Sequence, residues 1–273
     1  MNASELFKAG QLQPAIDAQV QKVKSNPADQ EARLFLFELL YFAGDLDRAQ
    51  RHLEMLRYDD PQLTVAAQTY LRALDAERSR RRVLAGQDRP RVLYEPPEHV
   101  ELRLEALAHL ARGEKAEAAS KLDRANGQIP LIKGHLNGKP FEGLRDGDDL
   151  FGSVVEVFGQ GGMYSWVPLE QVESLTMNAP STPRDLILIP AQLVTRGGIA
   201  GDVLLPAIYP GSHEAADDQL KLGHQTEWAD VEGEPVRGLG GKMWLLGDGS
   251  HGVSLLEVRQ LVCDTGAPEQ PAS

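Results

Sequence analysis

Two stretches of the chain carry one pattern, Ala9-Gly10-Gln11-Leu12-Gln13-Pro14-Ala15 and Ala43-Gly44-Asp45-Leu46-Asp47-Arg48-Ala49, and Pro27 returns as Pro61 at the same offset of 34 residues. That offset is the period of tetratricopeptide-type helical hairpins. The residue types explain the spacing mechanically. A small Ala-Gly pair lets two antiparallel helices close on each other at their turn, the Leu and the second Ala face the partner helix, and the proline starts the next helix. A third turn follows at Ala111-Arg112-Gly113, with Ala118 five residues past the glycine as in both earlier copies, but at 69 residues from Gly44, two periods plus one. Between them, 61–84 reads as one long helix with Ala66, Tyr70, Leu71 and Leu74 at helical spacing, broken by Gly86 and Pro90. The middle repeat is therefore remodelled.

Helices are predicted over 4–9, 14–24, 28–43, 46–58, 61–84, 97–111 and 114–125. The helix from Ala28 is apolar nearly all round (Leu34, Phe35, Leu36, Phe37, Leu39, Leu40, Tyr41, Phe42), which places it between neighbours at the centre of the stack. Glu38 is the lone carboxylate of its apolar run 34–43. Stacked hairpins present a concave groove suited to an extended or helical peptide, and Phe37, Glu38 and Tyr41 are the candidate partner-binding residues.

Beyond Asn126-Gly127 helical periodicity gives way to short apolar runs punctuated by glycine and proline, at 153–158, 163–167, 186–194, 203–209, 242–246 and 253–258. These read as strands. The segment 214–223 is a short helix or loop. No strand-helix-strand alternation of sufficient length is present, so a doubly wound parallel sheet is excluded. The expected architecture is α+β: a helical repeat domain over 1–130, a compact and mainly antiparallel α+β domain over 131–266, and a disordered tail over 267–273.

Composition narrows the function classes. The 273 residues are 42% hydrophobic and 25% charged, as in an ordinary globular chain, and carry a net charge of −12. Residues 1–133 hold 20 basic and 20 acidic side chains, so the whole excess of acid lies after them. Nucleic-acid binding is disfavoured by that field. The one basic cluster, Arg78, Arg80, Arg81 and Arg82, reads as the solvated end of a long helix or as a grip for an acidic partner. The apolar run 34–43 is too short to cross a bilayer, and the first residues lack a signal peptide. An internal disulfide is excluded because Cys263 is the single cysteine. A cytoplasmic, membrane-free protein is expected.

Catalytic patterns are sparse. Gly247-Asp248-Gly249-Ser250-His251-Gly252 fits G-x-G-x-x-G, yet only 21 residues follow it, too few for the required βαβ unit, and a hairpin turn explains it. Gly238-Leu239-Gly240-Gly241-Lys242 lacks the hydroxyl residue and first glycine of a phosphate loop. Ser250, His251 and Asp248 are triad types whose adjacent side chains diverge in a turn. Seven histidines show no zinc spacing. Asp146, Asp148 and Asp149 could bind a divalent cation and, with His251, support a metal-dependent or hydrolytic enzyme; alternatively they cap a turn with Arg145 as counter-ion. Arg184-Asp185 is a second pair that could bond reciprocally to that turn. Trp166, Trp228 and Trp244 are core anchors with pocket potential.

The order of motifs after the repeats, Phe141-Glu142-Gly143-Leu144-Arg145-Asp146-Gly147-Asp148-Asp149, Tyr164-Ser165-Trp166-Val167-Pro168, Pro183-Arg184-Asp185-Leu186, Gly201-x-Val203-x-x-Pro206-x-x-Tyr209 and Leu222-Gly223-x-x-Thr226-x-Trp228, resembles the ImpE/TagJ family of bacterial type VI secretion accessory proteins. The resemblance implies a non-enzymatic cytoplasmic adaptor without cofactor or metal. It would contact the small subunit of the contractile sheath, through that subunit's N-terminal helix, and would be linked to ClpV, the AAA+ ATPase that disassembles contracted sheath.

Overall fold

The computed structural model describes residues 1–57 and 61–264. Its first part is helical: α1 (Ala3–Lys8), α2 (Leu12–Ser25), α3 (Gln30–Phe42), α4 (Leu46–Glu54), α5 (Pro61–Leu84), α6 (Glu98–Ala111) and α7 (Lys115–Asn126). These match the expected helices to within a few residues, although α4 stops at Glu54 and Tyr58 lies outside the described residues, as does the tail 267–273. Helix α1 packs on α2, α2 on α3, α3 on α4, α4 on α5, and α6 on α7.

The three repeated turns close identically. The amides of Gly10, Gly44 and Gly113 donate to Phe7, Tyr41 and Leu110, and those of Gln11, Asp45 and Glu114 donate to Leu6, Leu40 and His109. This paired bonding needs a left-handed residue, and the three glycines supply it at φ of +73°, +74° and +76°. Five residues past each glycine, Ala15, Ala49 and Ala118 are completely buried. Local signals also set the helix starts: Asn2 and Glu5 form a capping box on α1, while Asp29 and Asp45 cap α3 and α4.

The second part is built on a nine-stranded sheet. Its strands are β1 (Arg91–Val92), β2 (Lys133–Leu136), β3 (Lys139–Glu142), β5 (Val154–Gly159), β6 (Met163–Pro168), β7 (Val172–Met177), β8 (Leu188–Thr195), β9 (Ala200–Pro206) and β14 (Gln260–Cys263), in the order β1-β6-β5-β9-β8-β7-β14-β2-β3. Two smaller sheets join it: β4 (Leu144–Asp146) with β12 (Met243–Leu246) and β13 (His251–Ser254), and the hairpin β10 (Thr226–Ala229) with β11 (Arg237–Gly240). Pairing is antiparallel everywhere except between β1 and β6. The molecule is thus α+β in two parts. A one-turn helix, α8 (Asp218–Lys221), falls within the segment read as short helix or loop. No helix among the described residues is long and apolar enough to cross a membrane.

Side-chain alternation splits the large sheet between two cores. Val154, Phe158, Tyr164, Trp166, Leu188 and Leu204 share one core with the helices, including Leu36, Phe37, Leu40, Leu74 and Leu107. Val155, Val157, Val167, Ile189, Ala191, Leu193 and Leu205 face a second core that takes in Leu144 and Trp244 of the small sheet. Because both faces are covered, β5 is buried along nearly its whole length instead of alternately.

Candidate functional site

The helix-facing side of β5 carries a carboxylate between its two apolar neighbours: Val154, Glu156, Phe158. Glu156 is 3% exposed, and Arg80 of α5, 4% exposed, reaches it with both Nε (2.8 Å) and Nη2 (2.9 Å). Lys242, just before β12, places Nζ 2.5 Å from Oε2 of the same carboxylate, the oxygen that Arg80 Nη2 also reaches. The Tyr164 hydroxyl also donates to Glu156 and in turn accepts from Trp166 Nε1 at 2.7 Å. Burial works to raise the Glu156 carboxyl, but Arg80 and then Lys242 outweigh it and hold it down at about 2.

From Lys242 the network continues to Asp146, 3.7 Å away and itself 2% exposed, which accepts from the Tyr209 hydroxyl at 2.6 Å and the Asp148 amide at 2.9 Å. The ammonium lies over the Phe151 ring, 4.4 Å from its centroid. Burial pushes Asp146 up to about 6 in spite of Lys242. On the helical side Glu77 joins Arg80 (3.5 Å) to Arg81 (3.1 Å). The chain Glu77-Arg80-Glu156-Lys242-Asp146 therefore threads the junction of the two parts.

A second link runs from Glu38 to Arg184 at 2.7 Å, with the guanidinium stacked 5.4 Å from the Tyr70 ring centroid. Burial raises Glu38 to about 7 against the pull of Arg184. The hairpin turns complete the junction. Asp218 of α8 caps α2 by accepting from the Leu12 amide at 2.8 Å, and a Cβ on Gly44 would lie 2.2 Å from His213. On α6, the fully buried Arg103 donates to Ser153 (2.6 Å), to Asn126 (2.7 Å) and to the Asp149 carbonyl, while His99 bridges Ser153 (2.8 Å) and Glu170 (2.7 Å).

Phe37, Glu38 and Tyr41, expected to face a partner, are instead 1%, 3% and 6% exposed. Their packing against α5 and the sheet part places them inside the chain, where they present no open face. Among the basic cluster, Arg80 is not a solvated helix end but the buried centre of the junction; Arg78 pairs with Asp47, Arg81 with Glu77 and Arg82 with Asp88. Asp146, Asp148 and Asp149 follow the turn-capping reading. Asp148, fully buried, accepts from the Leu150 and Gly238 amides (2.9 Å each) and from Arg237 Nε (2.9 Å), and Asp149 pairs with Arg145 at 2.6 Å. The three acids thus point to separate internal cations and amides, and no group of three or more His, Cys, Asp or Glu among the described residues is arranged to hold a metal ion. His251 is exposed on β13.

The expected reciprocal pairing of Arg184-Asp185 with that turn does not occur. Arg184 turns to Glu38, whereas Asp185 accepts from the Ser181 and Thr182 amides at 2.9 and 2.8 Å. Trp166 and Trp244 are buried. Trp228, 39% exposed, packs edge-on to Tyr209 over the space left by Gly147, where a Cβ would lie 2.3 Å from its ring.

The sequence pattern does not single out Glu156, and it brings up Lys242 only at the end of an incomplete phosphate loop. A signal was available: Glu156 is a lone carboxylate in an apolar strand, as Glu38 is in the apolar run 34–43, and the low polarity around each requires a buried cation. A small cavity of about 40 Å³ remains beside the network, lined by Tyr41, Glu77, Arg80, Tyr209 and His213, room for a water molecule and not for a cofactor.

Known proteins resemble this chain in sequence and in fold. The model of the family described as ImpE protein matches residues 138–262. A protein of Pseudomonas aeruginosa named type VI secretion system accessory component TagJ is 39% identical over 236 residues, 86% of this chain and 83% of its own length. The crystal structure of protein VPA1032 from Vibrio parahaemolyticus superposes with a TM-score of 0.86 over 96% of this chain and 97% of that one, at 22% identity, and so shares the fold.

Proposed function

Because this chain belongs to the ImpE/TagJ family, we propose that it is a non-enzymatic, cytoplasmic accessory protein of a type VI secretion system. The finer reading is an adaptor that binds the small subunit of the contractile sheath through a helix of that subunit and assists sheath turnover by ClpV. The observation that carries the non-catalytic part is the fate of the acidic residues: each carboxylate of the enzyme-like cluster is consumed by a cation or amide of the chain itself. What is left on the outside is binding surface. Stacked helical hairpins packed against a sheet suit recognition of a partner helix. On the helical part, Met55, Leu63 and Val65, 53%, 48% and 65% exposed around the end of α4 and the start of α5, are apolar side chains open to such a helix.

Calorimetric titration of the full chain with a peptide of the sheath subunit's first helix tests this. Saturable binding is expected, with a loss of about tenfold or more in a Leu63→Ser/Val65→Ser variant of unchanged circular dichroism. Absence of binding to that peptide and to the intact sheath subunit would refute the adaptor reading.

A further inference from the structure

Pro61–Leu84 turns one face toward the edge of the large sheet, and that face carries Asp75, Arg78, Ser79 and Arg82 at helical spacing. Opposite it, Arg89 and Arg91 come from the segment that enters β1. The turn between β5 and β6 approaches α5 so closely that a Cβ on Gly162 would lie 3.0 Å from the Arg72 carbonyl, and this contact forms one wall. The result is an open cleft of about 460 Å³, within the size range of ligand sites, lined by four guanidinium groups and one carboxylate.

The guanidinium groups are held but not saturated. Arg82 and Arg89 are paired with Asp88 and Glu101, whose side chains are 46% and 42% exposed, while Arg78 is held by both Asp47 and the cleft's own Asp75. Exposed pairs of this kind are worth little and exchange readily. An arginine brings five N–H donors, more than such pairs occupy. Arg91 touches the Met163 sulfur, at 3.1 Å, and has no carboxylate partner among the described residues. Within residues 1–133, where basic and acidic side chains balance, such a lining is a local excess of positive charge.

We propose that this cleft docks an acidic peptide segment of a partner protein, its carboxylates bonding to Arg82, Arg89 and Arg91. Guanidinium forks match carboxylates in geometry. A nucleic acid fits less well: the one aromatic residue of the lining, Tyr164, is 3% exposed and offers no stacking face, and the chain's overall charge of −12 opposes a long polyanion. This surface is distinct from the one assigned to the sheath helix and does not depend on that reading.

Fluorescence anisotropy of a labelled hexaglutamate peptide, titrated with the full chain at low ionic strength, provides the test. Wild type should bind, and binding should fade as salt is added. Arg82→Glu/Arg91→Glu should weaken it by about tenfold or more, whereas Arg51→Glu/Arg112→Glu, with the same change in net charge elsewhere on the helices, should stay within about twofold. Arg91→Gln alone, at an exposed site with only a sulfur contact, should lose about threefold with an unchanged melting curve. Equal losses in the two charge-reversed variants, no binding at low salt, or tighter binding of a single-stranded oligonucleotide of matched charge would each overturn the proposal.

Discussion

Replacing Glu156 by glutamine keeps the shape of the side chain and removes the anion that two buried cations share. Arg80 would retain Glu77 at 3.5 Å and Lys242 would retain Asp146 at 3.7 Å, both longer than the 2.8 Å and 2.5 Å at which these cations hold Glu156. The cost can be reached in two ways. A carboxyl held at about 2 instead of 4.5 corresponds to about 3 kcal/mol, and removing one member of a buried ion pair costs about 3–5 kcal/mol. The depressed value also fixes the pH dependence: the stabilisation is complete above 4.5 and disappears as pH falls toward 2. Urea unfolding followed by circular dichroism should therefore show Glu156→Gln less stable by about 3 kcal/mol at pH 7, with the gap closing below pH 4.5. Arg80→Met should cost less, because Lys242 still neutralises Glu156 at 2.5 Å. The double variant should lose less than the sum of the two by more than about 1 kcal/mol. A deficit below about 1 kcal/mol for Glu156→Gln at pH 7, or one that stays constant down to about pH 3, would refute the network as the clamp between helices and sheet.

Glu38 predicts the opposite pH behaviour. Its carboxyl is raised to about 7 by burial, so wild type loses stability as pH rises from 4.5 through 7, and Glu38→Gln should be more stable than wild type by about 1–3 kcal/mol at about pH 8 and equal to it near pH 4, as measured by urea midpoints. Gly44→Ala and Gly113→Ala share the left-handed strain, but only the former adds a Cβ 2.2 Å from His213, while nothing lies within 4 Å of the latter. Gly113→Ala should cost about 1 kcal/mol and Gly44→Ala at least about 2 kcal/mol in the same assay; equal costs would mean that the turn does not bear on the sheet part.

The repeated turns were legible because each is a local device. A glycine at positive φ, a small residue near it and an alanine five residues on determine the hairpin within a dozen positions, and the helices between turns follow from apolar spacing. Strands β5, β6, β8, β9 and β12 were legible for a similar reason, being continuous apolar runs. Others were not: β2 buries only Gly134 and Leu136, β10 has no buried residue, and β7 interrupts its apolar positions with Glu173, Ser174 and Thr176, so none stands out as a continuous apolar run. Their pairing partners supply what their composition lacks.

Local patterns along the chain thus establish a helical half built on a 34-residue spacing, a strand-rich half and the segregation of acid into the latter. Folding in three dimensions was needed to bring Glu38 and Arg184 together across 146 residues and to draw Arg80 onto Glu156 from 76 residues away. It also buried Phe37 and Tyr41, which a helix considered in isolation leaves open to either side. Backbone turns are set by neighbours in the chain, whereas a charge in an apolar segment states only that it needs a counter-charge, and long-range packing selects which one arrives.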